Sequence, residues 1–513
     1  MRRNALVGLG ATCVFLLVHS TVVTTAEITV AAGGDLQAAL NAANPGDTIL
    51  LQAGATFVGN FVLPAKSGNA VITIRSSAAD SALPPPGARI TPAYAAALPK
   101  LKSANSMPAL STAAAAHHYR LQCLEFLANA QGYGDILTLG DGSAAQNSLA
   151  LVPHDLIVDR VYIHGDPVYG QKRGIALNSA ATTIRDSHIS GIKAVGQDSQ
   201  AIANWNGPGP YTITNNYLEA ASENIIFGGD DPKIANLIAS DITITRNHFS
   251  KQLSWRTENI NVKNLLELKN AQRVVINGNL LEYNWLAAQV GYAIVLTPRN
   301  QYGGAPWTVV RDVQFTNNHV RHVGSGINIL GHDYTFPSQE TTNILIRNNV
   351  FDDVSSANWG GYGRFMQING GIDITVDHNT VIQDGLSAVY ADTNPTTRFT
   401  LTNNIMPDYS WCIMGANTGP GNSTVGYYFP SSTILKGIFA GAPASTYPAG
   451  NFYPPSLAAV GFTDLAGGNY RLAPTSIYRV AGTDGKDVGV DIDALNAAVQ
   501  PSPTAPGGFR VSR

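Results

Sequence analysis

One six-residue phrase recurs along the middle of this chain: an apolar or β-branched residue, two variable residues, Asn, one variable residue and a second apolar residue. It reads ITNNYL around Asn216, ITRNHF around Asn247, INGNLL around Asn279 and FTNNHV around Asn318. It returns as IRNNVF around Asn349, VDHNTV around Asn379 and LTNNIM around Asn404. The steps between these asparagines are 31, 32, 39, 31, 30 and 25 residues. A fixed phrase at a period of about 20–50 residues marks a stacked repeat. Each copy is too small to bury its own apolar side, so neighbours must stack to make one core.

Each repeat carries short β-branched runs separated by turns. VVINGNLLEYN, for example, is followed by YAIVLTP, VRDVQFTNNHV and GINILG. Such runs, bounded by Gly, Asn and Asp, read as strands. No long helix separates them, which argues against a sheet covered by crossover helices. A propeller blade repeats at about 40–50 residues and carries aromatic signatures; here the recurrent residue is Asn. The expected fold is therefore all-β, a parallel β-helix in which every coil returns to the same position. The recurrent Asn then reads as a buried amide ladder rather than a substrate contact, because an inward polar side chain needs partners. Only 13 % of residues are charged and 50 are Gly, a turn-rich composition. The net charge is −3 with no basic block, which argues against nucleic acid as a partner. It leaves an anionic substrate open, because local clusters matter more than the sum.

The chain divides into five expected segments. Residues 1–26 read as a signal peptide: Arg2 and Arg3, an apolar stretch from Ala5 to Val23, and the small residues Thr24-Thr25-Ala26. No later run is long and apolar enough to span a bilayer, so the expected location is secreted, periplasmic or at the cell surface. Residues 27–118 read as an N-terminal cap with the first coils. Leu36, Ala39, Leu40 and Ala43 fall at helical spacing before Pro45-Gly46-Asp47, and 76–108 reads as a long loop. Residues 119–414 carry the coils, and 415–500 read as irregular coils and a terminal cap. Residues 501–513 form a tail. The mature chain keeps only Cys123 and Cys412, too many coils apart to bridge. A capped solenoid of this kind is expected to be a monomer.

The chain resembles the right-handed parallel β-helix proteins of the pectate-lyase-like superfamily. The resemblance rests on the Asn phrase, the opening GGDLQAALNAANPGDTILLQAG and the closing YRLAPTSIYRVAGTDGKDVGVDIDAL, and covers roughly residues 27–495. It implies a right-handed parallel β-helix with an N-terminal helical cap. It also implies chemistry drawn from polysaccharide lyases, glycoside hydrolases or uronate epimerases, or no chemistry at all.

One outer sheet of such a stack, with its flanking loops, makes a groove suited to an extended polymer. Aligning the regular strands brings Asn178, Asn206, Asp230, Asp231, Lys269, Arg299, His332, Asp333 and Asn369 into neighbouring positions. A uronate lyase must neutralise the substrate carboxylate and remove the C5 proton. By resemblance to lyases of this fold, Lys269 is the candidate base and Arg299 the carboxylate clamp; the plain alternative is a solvated Lys and Arg, with Lys269 paired to a carboxylate on the groove wall. Asp230 and Asp231, in GGDDP, could bind calcium or serve a hydrolase as acid and base, and the same residues make a natural turn. GGDDP resembles the paired acids of the polygalacturonase-like branch, but that branch's Asn-Thr-Asp, Gly-His-Gly and Arg-Ile-Lys elements are absent from this sequence. So are the Asp-His strand and Arg-x-Pro-x-x-Arg element of the calcium-dependent lyases. His332 is a further acid/base candidate. Asn178, Asn206, Trp205 and Asn369 are candidate substrate contacts. Trp255, Trp285, Trp307 and Trp359 fall near turns, where flat rings suit sugars.

The expected function is action on an extracellular acidic polysaccharide. Elimination by a lyase comes first; a glycoside hydrolase or a non-catalytic glycan-binding protein is the alternative.

Overall fold

The computed structural model describes Met1 and residues 25–499. The expected signal segment, apart from its ends, and the expected tail lie outside the described residues. The chain winds as a right-handed parallel β-helix, with three long sheets of 14, 13 and 12 strands in the order each coil visits them. One coil shows the pattern: Tyr211–Thr214 lies in the first sheet, Tyr217–Ala220 in the second and Glu223–Phe227 in the third. Each strand pairs in parallel with its counterparts one coil before and after. The stack opens at Glu27–Val30 and its last strand is Ile438–Ala440.

The sequence phrase spans the corner between the first and second sheets. In ITNNYL, Ile213 is the last inward residue of the first sheet and Leu218 is an inward residue of the second. The residue before the ladder Asn adopts a left-handed conformation in every copy, with φ between 53° and 68°. That conformation costs an L-residue roughly 1–2 kcal/mol. The ladder offsets it. The Oδ1 of Asn279 accepts from both the backbone N (2.9 Å) and the Nδ2 (3.1 Å) of Asn247. Its own Nδ2 donates to Ile244 O (3.0 Å) and to Asn318 Oδ1 (2.9 Å). The same bonds link Asn216, Asn247, Asn279, Asn318, Asn349, Asn379 and Asn404 in an unbroken column, all at most 1 % exposed. Inside the corner runs an apolar row in register from Ile49 through Ile184, Ile213, Ile244, Ile276 and Phe315 to Ile434. Burying each such side chain contributes about 1.5–3 kcal/mol.

Two additions to the ladder escape the phrase. Ser187 takes the place before Asn216: it accepts from Val161 N (3.0 Å) and its backbone N donates to Asn216 Oδ1 (2.9 Å). At the far end Gly437 has no side chain to offer. Asn451, from a later loop, supplies the amide instead, accepting from Gly437 N (2.9 Å) and donating to Ile434 O (3.1 Å).

Helix Leu36–Ala42 is capped by Asp35 and buries Leu36, Ala39 and Leu40 against the first coils. The long segment 77–108 includes a strand, Lys100–Lys102, of the second sheet. Its Arg89 donates to Asn215 O and Arg246 O (both 3.1 Å), so it lies along the ladder corner. The C-terminal segment, expected as a terminal cap, instead runs back along the same corner. Thr483 N donates to Asn403 Oδ1 (2.8 Å) and Asp491 N to Asn348 Oδ1 (2.6 Å). Helix Ile492–Val499 then packs Ile492, Leu495 and Val499 against Val350 and Tyr470. The reason is local: left-handed Asn348 and Asn403 point their amides outward, ready to bind a passing backbone. Cys123 and Cys412 are both buried and free. No helix among the described residues is long and apolar enough to cross a membrane.

Candidate active site

With the ladder corner dressed from both ends, the third sheet keeps an open face. Its strands run in register through Ile175, Ile202, Ile225, Leu266, Ile294, Ile327 and Met366, all inward. The outward row is Thr138, Ala176, Ala203, Ile226, Glu267 and Val295. Small residues on three coils and then Ile226 give way to a carboxylate at Glu267. A groove of about 850 Å³ crosses this face, walled by Gly140–Ser143, Trp205, Gly228–Asp230 and Tyr302 on one side and Lys172, Asp198 and Lys263 on the other.

Its floor is a chain of charge. Arg173 donates to Asp135 (2.7 Å) and Gln200 (3.2 Å), and Gln200 donates to Glu223 Oε2 (2.9 Å). Lys263 pairs with Asp198 and stands 3.7 Å from Glu223. Lys269 Nζ is 3.2 Å from Glu267. Glu223 and Glu267 are each about 2 % exposed. Burial, and next the Glu267 carboxylate, push the Glu223 carboxyl well above its ordinary range, and Lys263 only partly opposes them. Burial pulls Lys263 down, but Glu223 and Asp198 outweigh it and hold its ammonium above the ordinary value. Beneath this floor Lys251 is 1 % exposed and donates to the carbonyls of Ala220, Ala221, Ser222 and Asn264 and to Asn224 Oδ1, at 2.8–3.1 Å.

The expected site residues divide sharply. Lys269 lines the groove; Arg299, on the next coil with its backbone N donating to Lys269 O (3.0 Å), lies outside that lining. The Arg299 guanidinium is braced by buried Asp333 (2.9 Å). Trp205 forms one wall with Arg173 stacked 4.7 Å from its ring centre. Asp230 also lines the groove, although its Oδ1 already accepts from Asp231 N and faces Lys233.

The others serve different ends. Asp231, expected as acid or metal ligand, is a loop tie. Its Oδ2 accepts from Tyr302 N (3.1 Å) and Gly304 N (2.8 Å), and its Oδ1 is buried, so neither oxygen faces the groove. Asn178 and Asn206, expected at the substrate, are fully buried: Asn178 Oδ1 accepts from Trp205 N and Asn206 N, and Asn206 bonds Asp141, Gln146, Lys233 and Ile234. Both hold the turn that carries Trp205. His332 bonds Glu340 (3.0 Å), and Asn369 accepts from Tyr334 (2.7 Å), beyond the groove's lining. Of the loop tryptophans, Trp255, Trp285 and Trp359 gather around Arg256 in a separate hollow, and Trp307 donates to Leu237 O. Glu223, Lys263 and Asp198 were not singled out by sequence reasoning. The signal was present for one of them: Glu223 opens ENIIF, a run otherwise made almost entirely of core residues.

No family model and no curated protein sequence matches the chain. Solved structures do. A mutant of a PL6 family alginate lyase aligns with a TM-score of 0.56 at 13 % identity, over 94 % of this chain and 59 % of that one. The catalytic unit of a GH87 alpha-1,3-glucanase from Streptomyces thermodiastaticus aligns with a TM-score of 0.51 at 12 % identity, over 80 % of this chain and 68 % of that one. The chain thus spans under two thirds of the length of that alginate lyase. At such identities the likeness shows the fold alone, a right-handed parallel β-helix that the chain shares with polysaccharide-acting proteins.

Proposed function

We propose that the chain is an exported enzyme that cleaves a uronate-containing polysaccharide by β-elimination in the groove of its third sheet. The observation that carries this reading is Lys269 on the groove floor, 3.2 Å from Glu267, with Arg299 stacked on the next coil. In the reaction a base removes the C5 proton, the C4–C5 double bond forms and the C4–O bond breaks, the leaving oxygen taking up a proton. Lys269 takes the C5 proton, and Arg299 faces the carboxylate that makes this proton acidic. The alginate acted on by the structural neighbour is the first substrate to try.

Calcium fits Asp230 and Asp231 poorly, since Asp231 is committed to backbone amides. Glu223 and Glu267 are the better candidates: two buried carboxylates that resist joint ionisation, with Lys263 3.7 Å from the first and Lys269 3.2 Å from the second only partly offsetting their charge. An ion there would supply the charge that neutralises a uronate.

A second reading rests on the same pair. A carboxyl kept protonated by burial is what a glycosidase acid requires, with Glu267 as its partner. The test is a panel of mannuronate, guluronate and galacturonate polymers and an α-1,3-glucan, with calcium or a chelator. Elimination gives unsaturated ends that absorb in the ultraviolet. Hydrolysis gives reducing ends without that absorbance. Binding without either product would defeat both enzymatic readings.

A further inference from the structure

The outer ridge where each coil enters the first sheet has its own pattern. A second left-handed residue recurs there, including His118, Asp155, Asp241, Arg273, Asp312, Asn343, Asp373 and Arg398. A strand normally throws successive side chains to opposite faces. The left-handed step sends two in succession outward, so the ridge becomes two columns. Along most of its length neighbouring coils satisfy each other in pairs. Arg273 donates to Asp241 (2.7 Å), Asn343 to Asp312 (2.8 Å), and Gln272 to Ser240 (2.9 Å).

One place breaks the pattern. His117 pairs in register with His154, so His117-His118 lies over His154-Asp155. Here no guanidinium answers the carboxylate; three imidazoles do. His154 Nδ1 is 2.7 Å from Asp155 Oδ2, and His118 Nε2 is 3.9 Å from the same oxygen. One donor atom from each of His118, His154 and Asp155 lies within 4.8 Å of the others. The fourth group, His117, places its Nδ1 2.7 Å from His118 Nδ1. At that distance one nitrogen carries the proton and the other accepts it. With His118 Nδ1–H as the donor, the contact occupies that nitrogen and leaves the Nε2 lone pair for the cluster. The two imidazoles of His117 and His154 stack at 4.9 Å, which holds the set together.

We infer that His118, His154 and Asp155 form a binding site for a zinc-class divalent transition-metal ion, with His117 as the positioning residue for His118. Two imidazole nitrogens and one carboxylate oxygen are the donor set of an open tetrahedral zinc site, the fourth place being left to water. Donors about 2.0–2.1 Å from one ion sit roughly 3.4 Å apart, so the His118 donor closes on Asp155 by about 0.5 Å and the His154 donor opens from it by about 0.7 Å. An outer imidazole that fixes a ligand's tautomer is the usual support for such a site. The residues just before the paired Ile72 and Thr182 of the flanking coils are Val71 and Ala181, which bring no competing charge. The site lies on the first sheet, away from the groove residues, so it stands or falls independently of the proposed lyase activity.

The experiment uses the untagged full chain, stripped with chelator and dialysed against zinc or cobalt. The expected result is about one ion per chain, a cobalt absorption in the intensity range of four-coordinate sites, and a raised Tm in zinc. His118→Ala and His154→Ala should each weaken binding at least about tenfold, the 10–100-fold range setting the scale for His117→Ala. His322→Ala, in a separate Asp353 pair, should leave binding unchanged. Circular dichroism of each variant checks folding. Should a variant not fold, the cobalt spectrum of the unaltered chain decides: octahedral, water-like bands or substoichiometric uptake would overturn the site. Undiminished binding in folded His118→Ala and His154→Ala would do the same.

Discussion

The ladder corner and the groove face are built from the same coils and could hardly differ more. At the corner, each coil from Asn216 to Asn404 repeats one solution: a left-handed residue, then a buried amide bonded above and below. The groove face has no such repeat: Thr138, Ala176, Ala203, Ile226, Glu267 and Val295 occupy equivalent outward places. The corner is satisfied within itself. The groove holds Glu223, whose proton is retained because burial and Glu267 oppose its loss. Repetition marks what the fold needs, and departure from repetition marks what it does not need. Chemistry is sought where a polar group is costly and unrepeated.

The largest expected effect breaks function and spares the fold. Lys269→Ala should lower the rate of unsaturated-product formation about 10³-fold, near 4 kcal/mol, with the melting temperature little changed. A variant that keeps half the rate would remove Lys269 from the reaction. The corner should answer the opposite way. Asn279→Ala strips an acceptor from two Asn247 donors and a donor from Ile244 O. The cost should be about 3 kcal/mol, read as a lower urea midpoint, with activity per folded molecule retained. A loss below about 0.5 kcal/mol would show that water replaces the ladder.

The corner was legible in the sequence because identical packing demands write identical residues. Seven asparagines and their flanking apolar positions are enough to give the architecture. Where a position can be filled from elsewhere, the signal fails: Asn451 serves the ladder from a loop after Gly437, and nothing in its local sequence says so. Site residues were less legible. Strand alignment places Lys269 and Arg299 on successive coils, and the structure has them there. Asn178, Asn206 and Asp231 were placed on the groove by the same alignment, yet their side chains turn into the loops and hold Trp205 and Tyr302 in place. Strand register fixes a residue's address along the stack; it does not say which way a turn residue points.

The carboxylate pair sharpens the comparison through pH. Glu223 has a folded pKa raised above its ordinary 4.5, so the native chain keeps a proton that the unfolded chain has lost. Stability should therefore be unaffected by this group below pH 4.5 and fall as pH rises above it. Glu223→Gln should flatten that fall. Calcium should flatten it in the unaltered chain, if the ion occupies this pair. Melting curves at several pH values, in chelator and in calcium, read all three arms. A slope unchanged by Glu223→Gln would assign the proton elsewhere. The ladder, having no titrating group, contributes nothing to it.

The smallest effect tests how the groove wall works. The Trp205 ring is held by a bond from its Nε1 to Gly142 O (3.0 Å) and leaves no room for a side chain at 142, where a Cβ would come 2.1 Å from the ring. Arg173 covers it at 4.7 Å. With a neighbour on either side, the ring should act by aiming the Arg173 guanidinium rather than by stacking on sugar. Trp205→Phe keeps an aromatic platform and should keep most affinity. Trp205→Ala should raise KM about fivefold, near 1 kcal/mol, with kcat nearly unchanged. If Trp205 instead packs directly on a reacting sugar, the alanine variant will lower kcat as well, and Arg173→Ala will not reproduce the KM change. Agreement between Trp205→Ala and Arg173→Ala would show that this wall holds the polymer through a positioned charge.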